Sequence, residues 1–110
     1  SANLNYYLFN GNVDLRKGIF RLCESIREEM SLDPSDASNV YMFMSGNRKV
    51  VKILHYERGF YVLYEKRPVM GRFKKPVFDE VSKCYRIQWS DMAYLTESIV
   101  VDKMYVSPKD

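Results

Sequence analysis

The stretch from Lys49 to Glu65 constrains the fold most. Between Lys49 and Tyr56, Val51, Ile53 and His55 fall on one side of an extended chain, and Val50, Lys52, Leu54 and Tyr56 fall on the other. This period of two belongs to a strand, not a helix. Glu57-Arg58-Gly59 interrupts it with a glycine suited to a left-handed conformation, and Phe60 to Glu65 returns. The segment therefore reads as a β-hairpin. Both of its faces carry apolar groups, which predicts a place near the centre of a sheet. Val40-Tyr41-Met42-Phe43-Met44, closed by the turn residues Ser45-Gly46-Asn47-Arg48, supplies another strand, so residues 40 to 65 form the expected heart of the fold.

The flanks add helices and shorter strands. Tyr6-Tyr7-Leu8-Phe9 has strand composition and ends in the turn residues Asn10-Gly11-Asn12. Asp14 is placed as an N-cap. Behind it Ile19, Leu22, Cys23, Ile26 and Met30 form one apolar stripe at helical spacing, predicting a helix over about 15–31. The helix should stop before Pro34, because a residue preceding proline avoids the helical region. Gly71 to Pro76 reads as a short edge strand or extended loop, since Pro68 and Pro76 exclude a central position. Cys84 to Trp89 alternates again. Ser90 is then expected to cap a second helix carrying Met92, Leu95 and Ile99, with Asp91 in its first turn. The tail from Val100 adds at most a short strand. The whole is an α+β fold: a single domain over 1–110, core about 6–106, with an antiparallel sheet of about five strands and two helices.

Size and composition agree with one self-sufficient core. A chain of 110 residues with 46% hydrophobic and 28% charged residues is neither a disordered tail nor a disulfide scaffold. Apolar runs reach only five residues, against about twenty for a membrane helix, and no export signal is visible, so a cytoplasmic protein is expected. Cys23 and Cys84 lack further ligands at metal spacing, which predicts reduced thiols and no structural zinc.

The charge is unevenly spread. The net charge is +3, yet residues 48–75 hold nine cations against two acids, +7, and the remainder of the chain is −4. A basic cluster of this kind concentrates polyanions. Arg16 and Lys17 fall in the first turn of the expected helix, where the dipole disfavours cations; with unpaired N–H groups they would make an anion site. Lys66-Arg67 and Gly71-Arg72-Phe73-Lys74-Lys75 resemble a phosphate-contact surface with rings beside it. Catalysis has little support. His55 is the only histidine, the acids are scattered, and no nucleophile, zinc-protease or phosphate-loop motif is present.

Several motifs together resemble a known family. Val13-Asp14-Leu15-Arg16-Lys17-Gly18, Asp33-Pro34, Val40-Tyr41-Met42-Phe43, Asn47-Arg48, Lys52-Ile53-Leu54-His55-Tyr56-Glu57, Gly59-Phe60, Leu63, Lys66-Arg67, Gly71-Arg72-Phe73 and Pro76 follow, in order and spacing, the accessory protein TnpB of insertion-sequence-sixty-six transposable elements. The similarity covers roughly residues 6 to 99. The chain departs from the family pattern in the loop Ser35 to Asn39, at Pro68-Val69 and at Glu97-Ser98-Ile99.

The resemblance implies an accessory role in moving a bacterial mobile element beside a separate transposase, with no catalytic residues to carry over; no metal or cofactor is expected. Joined to the charge distribution, it leads to the expectation of a non-catalytic DNA-binding protein. Arg16, Lys17, Lys52, Lys66, Arg67, Arg72, Lys74 and Lys75 would meet phosphates, and Arg48 and Lys49 would reach a groove. The expected partners are DNA at the element ends and the transposase of the same element. The alternative is a protein-interaction adaptor that docks on the transposase through an aromatic and Met-rich surface of Tyr41, Met42, Met44, Tyr61 and Phe73.

Overall fold

The computed structural model describes residues 3–11, 13–16 and 18–101. Its elements are, in order, β1 (Asn5–Phe9), α1 (Ile19–Met30), β2 (Asn39–Met44), β3 (Val51–Glu57), β4 (Phe60–Lys66), β5 (Arg72–Phe73), β6 (Cys84–Ile87), α2 (Trp89–Glu97) and β7 (Ile99–Val100). Five strands make one sheet in the order β4-β3-β2-β1-β6, and β5 pairs with β7 separately. The expected α+β class holds, with one difference in topology. β1 and β2 run parallel, Asn5 opposite Asn39 and Phe9 opposite Phe43, while the other neighbours in the sheet are antiparallel. The cause is the intervening helix, which carries the chain back across the sheet before β2 begins, as a parallel pair requires.

The hairpin turns at Arg58 and Gly59, both at positive φ (48° and 88°), the signature of a two-residue turn matched to strand twist. It is not the centre of the sheet, however. β4 lies at the edge, and β2, flanked by β1 and β3, takes the middle.

α1 starts at Ile19, where the apolar stripe starts, and not near residue 15 as an Asp14 cap would require. Asp14 does not cap it. Its carboxylate instead accepts the backbone N–H of Arg16 at 3.0 Å, folding a local turn, and Gly18 stands as an extended N-cap. At the other end Ser31 adopts the left-handed conformation (φ 54°), and Leu32 N–H donates to Ile26 C=O at 3.3 Å, closing the helix at Met30, four residues before Pro34. Leu22, Cys23 and Ile26 are fully buried by this arrangement. They join Phe9, Tyr41, Phe43 and Leu54 in a core under α1, where each fully buried Leu, Ile or Phe contributes about 1.5–3 kcal/mol.

The opposite face of the sheet holds a second core. Leu8, Val40, Met42 and Val51 pack there against Phe73, Met92 and Leu95 from β5 and α2. α2 is capped by Gln88, with Asp91 completing a capping box, not by Ser90. It stops at Glu97, and Ile99 belongs to β7 instead, because Ser98 is already extended (φ −97°, ψ 124°). Gly71 (φ 74°) sits where β5 meets β7. A side chain there would drive into the Val100 carbonyl oxygen, so only glycine lets the two strands close. Cys23 and Cys84 are free thiols.

Candidate nucleic-acid interface

The sheet register brings the cations together. Phe9 pairs with Phe43 and Cys84, Met44 with Val51, and Val51 with Lys66. The ends of β1, β2 and β4 and the starts of β3 and β6 therefore share one edge. From it leave the 10–18 segment, the 45–50 turn, the 67–71 turn and the chain that leads into β6. These segments carry Arg16, Arg48, Lys49, Arg67, Lys74, Lys75 and Lys83 together with the acids Asp14, Asp79 and Glu80; Lys66 ends β4, and Arg72 lies in β5 beside them. The opposite edge carries the loop with Asp33 and Asp36, the hairpin turn with Glu57 and Arg58, and Asp91 at the start of α2.

Backbone ties stiffen the basic edge. Phe73 N–H donates to Arg48 C=O at 2.8 Å, and the Arg48 guanidinium returns a bond to Phe73 C=O at 3.1 Å. Arg48 holds positive φ (58°) there, so it clips β5 to the β2–β3 turn and is not an unattached hairpin tip. The Arg72 guanidinium reaches Asn47 C=O at 3.4 Å. Ser45 and Asn47 fold the turn, accepting Lys49 N–H at 3.1 and 3.0 Å. A groove of about 480 Å³ opens here, bounded by Phe9, Gly11, Gly46, Arg48, Lys75 and Phe78.

The predicted contact residues divide by what their side chains do. Lys49 and Lys75 are exposed and have no ion-pair partner among the described residues. Arg67 is exposed and bonds Glu65 at 2.8 Å; that guanidinium first, and Lys52 behind it, hold the Glu65 carboxyl below its usual range. Lys66 reaches Thr96 C=O at 3.0 Å, placing a cation at the carbonyl end of α2, whose own last turn has none. Lys74 lies 3.2 Å from the Tyr94 hydroxyl and over its ring. Arg16 is exposed and paired with Asp14 through two bonds of 3.0 and 3.2 Å. It precedes α1 by three positions and so lies outside the first helical turn. Lys17 lies outside the described residues.

Lys52 is a correction. It is 7% exposed, points into the α1 side of the sheet, donates to Leu15 C=O and stands 3.6 Å from Glu65. An inward ammonium fixed to a buried carbonyl is not poised to meet a phosphate. The aromatic and Met-rich docking surface also dissolves: Tyr41, Met42 and Phe73 are core residues, and Met44 and Tyr61 pack against the two cores.

The sequence reading missed Val69 and Met70. Val69 is fully exposed and Met70 is 63% exposed, so the 67–71 turn carries an apolar tip between Arg67 and Arg72. The signal was two apolar residues in a proline- and glycine-bounded turn with an arginine on each side. Such apolar tips flanked by cations are used by proteins that press into the DNA minor groove. A larger groove of about 650 Å³ runs between α2 and residues 74–80, but it sets Asp79, Glu80 and Asp91 among Lys74, Lys75 and Arg86 and is of mixed charge. Among the described residues no group of three or more His, Cys, Asp or Glu is arranged to hold a metal ion, and no helix is long and apolar enough to cross a membrane.

Comparison with known proteins gives a family match. The family model described as IS66 Orf2 like protein covers residues 4–105. No curated protein and no solved structure matches.

Proposed function

The chain belongs to the family of IS66 Orf2-like proteins, accessory proteins of transposition, and from that premise we propose that it binds DNA at the element ends through the basic edge of its sheet, without catalysing a step. The observation that carries this reading is the register: Arg48, Lys49, Lys66, Arg67, Arg72 and Lys75, drawn from separate segments, leave the sheet at one edge. Lys49 and Lys75 supply exposed cations with no ion-pair partner among the described residues, Arg67 and Arg72 flank the Val69–Met70 tip, and Arg48 ties β5 to the β2–β3 turn. Arg16 borders it on the α1 side. The transposase of the same element is the natural protein partner. Of the docking surface named from the sequence, Tyr41, Met42 and Phe73 are buried, which leaves only the half-buried Met44 and Tyr61 to meet it.

Fluorescence anisotropy on an element-end duplex at increasing salt tests the proposal. Affinity should fall steeply, by about 0.9 in logarithmic slope for each phosphate contacted. Lys49→Ala combined with Lys75→Ala should reduce that slope by about two while leaving the melting temperature unchanged. Binding indifferent to salt, or a slope untouched by both substitutions, refutes it. Metal-dependent nicking of the duplex by the pure protein refutes the non-catalytic part.

A further inference from the structure

Among the described residues no strand pairs with the outer side of β4, a sheet edge of seven residues, Phe60–Lys66, with no proline in it and an unbroken register against β3. Natural sheets protect such edges with prolines, bulges, inward charges or short strands. This one confines its charges, Glu65 and Lys66, to one end and displays aromatic rings along the rest. Phe60 is 72% and Tyr64 61% exposed on the α2 side of the sheet. Phe20, 76% exposed, projects from α1 beside Tyr61, ring centroids 6.4 Å apart, on the other side. The two-residue turn makes Glu57–Phe60 a hydrogen-bonded pair, so alternation leaves the N–H and C=O groups of Tyr61, Leu63 and Glu65 pointing outward.

We propose that this edge pairs with β4 of a second copy of the chain, antiparallel and two-fold symmetric about Leu63. The order of side chains argues for a copy. Centring on Leu63 is the one antiparallel register in which all seven residues of both strands are paired, and it matches the outward groups on each side. Phe60 of one copy then faces Lys66 of the other, Tyr61 faces Glu65, Val62 faces Tyr64, and Leu63 faces its own mate. The strand begins aromatic and ends charged, so antiparallel self-pairing sets ring against charge and opposes no like charges. The product is a continuous sheet across both copies, with α1 of each on the same face. The two basic edges point away from each other, one at each end of the assembly. The dimer stands independently of the DNA-binding reading, since no cation of that edge other than Lys66 takes part.

Sedimentation of the full chain at increasing concentration should show the mass double. A Leu63→Cys variant in a Cys84→Ser background should form a disulfide-linked dimer on oxidation, because hydrogen-bonded antiparallel partners lie about 5.5 Å apart between Cα atoms, within disulfide reach. Val62→Cys in the same background should not. Phe60→Lys with Tyr64→Lys alters two exposed side chains, so the far-ultraviolet circular dichroism should persist while the dimer mass is lost. A monomer at every concentration overturns the proposal, as does a dimer that survives the two lysines. Crosslinking through Val62→Cys in place of Leu63→Cys overturns the register.

Discussion

Replacing Lys52 by methionine separates a scaffold role from a phosphate-contact role. The substitution keeps most of the unbranched stem, so core volume is nearly conserved, and removes only the ammonium. Leu15 C=O then loses its charged donor in a buried site. A hydrogen bond to a charged group contributes about 1.5–3 kcal/mol. The pair with Glu65 adds little, because it spans 3.6 Å and the carboxylate is open to solvent, which screens it. The loss should total about 2–3 kcal/mol. For 110 residues the unfolding entropy near the midpoint is about 0.23 kcal/mol per degree, so the melting temperature should fall by about 9–13 °C. Thermal unfolding followed by circular dichroism reads this directly. Below the midpoint, the salt slope of DNA binding should match that of the parent chain, since no phosphate contact is removed. An unchanged melting temperature with a reduced slope would refute the reasoning and return Lys52 to the binding surface.

Two further outcomes follow from the structure. Gly71→Ala should destabilise by at least the roughly 1–2 kcal/mol of a left-handed alanine, with the Val100 collision added, and should weaken DNA binding because β5 carries Arg72 and is clipped to Arg48; an unchanged denaturant midpoint contradicts it. Tyr41 is buried, its hydroxyl donating to Asp33 C=O at 2.9 Å and accepting from Asn39 at 3.1 Å, and burial pushes its pKa up to about 12 from an ordinary 10.0. A phenol whose folded pKa is raised stabilises fully below its unfolded value. That stability should drain away between about pH 10 and pH 12, and Tyr41→Phe should flatten the fall in alkaline denaturation profiles.

Local order was legible in the residues, and long-range partnership was not. The alternation from Val51 to Tyr56, the turn at Arg58-Gly59 and the stripe from Ile19 to Met30 each depend on neighbours within a few positions, and each appears as an element of the fold. The helix start failed because Asp14 bonds locally to Arg16, an option that spacing alone does not separate from capping. The parallel pairing of β1 with β2 depends on how α1 crosses the sheet, and the outer position of β4 depends on β1 and β6 filling the other side; neither is written in any one segment. For the site, counting cations found the cluster but not the direction of each side chain. Lys52 carried a readable warning, since it shares its strand face with Val50, Leu54 and Tyr56, the face that α1 covers.

The position of β1 between β2 and β6 bears on how the chain can be made. Phe9 pairs with Cys84, so a strand translated early waits for one translated late before both of its sides are satisfied. During synthesis the meander from Asn39 to Lys66 can close on itself and recruit β1 through α1, while Tyr6 and Leu8 stay uncovered until α2 arrives. Polypeptides aborted before Cys84 would expose that flank to one another, which leaves premature termination a route to aggregates and not to a smaller working protein.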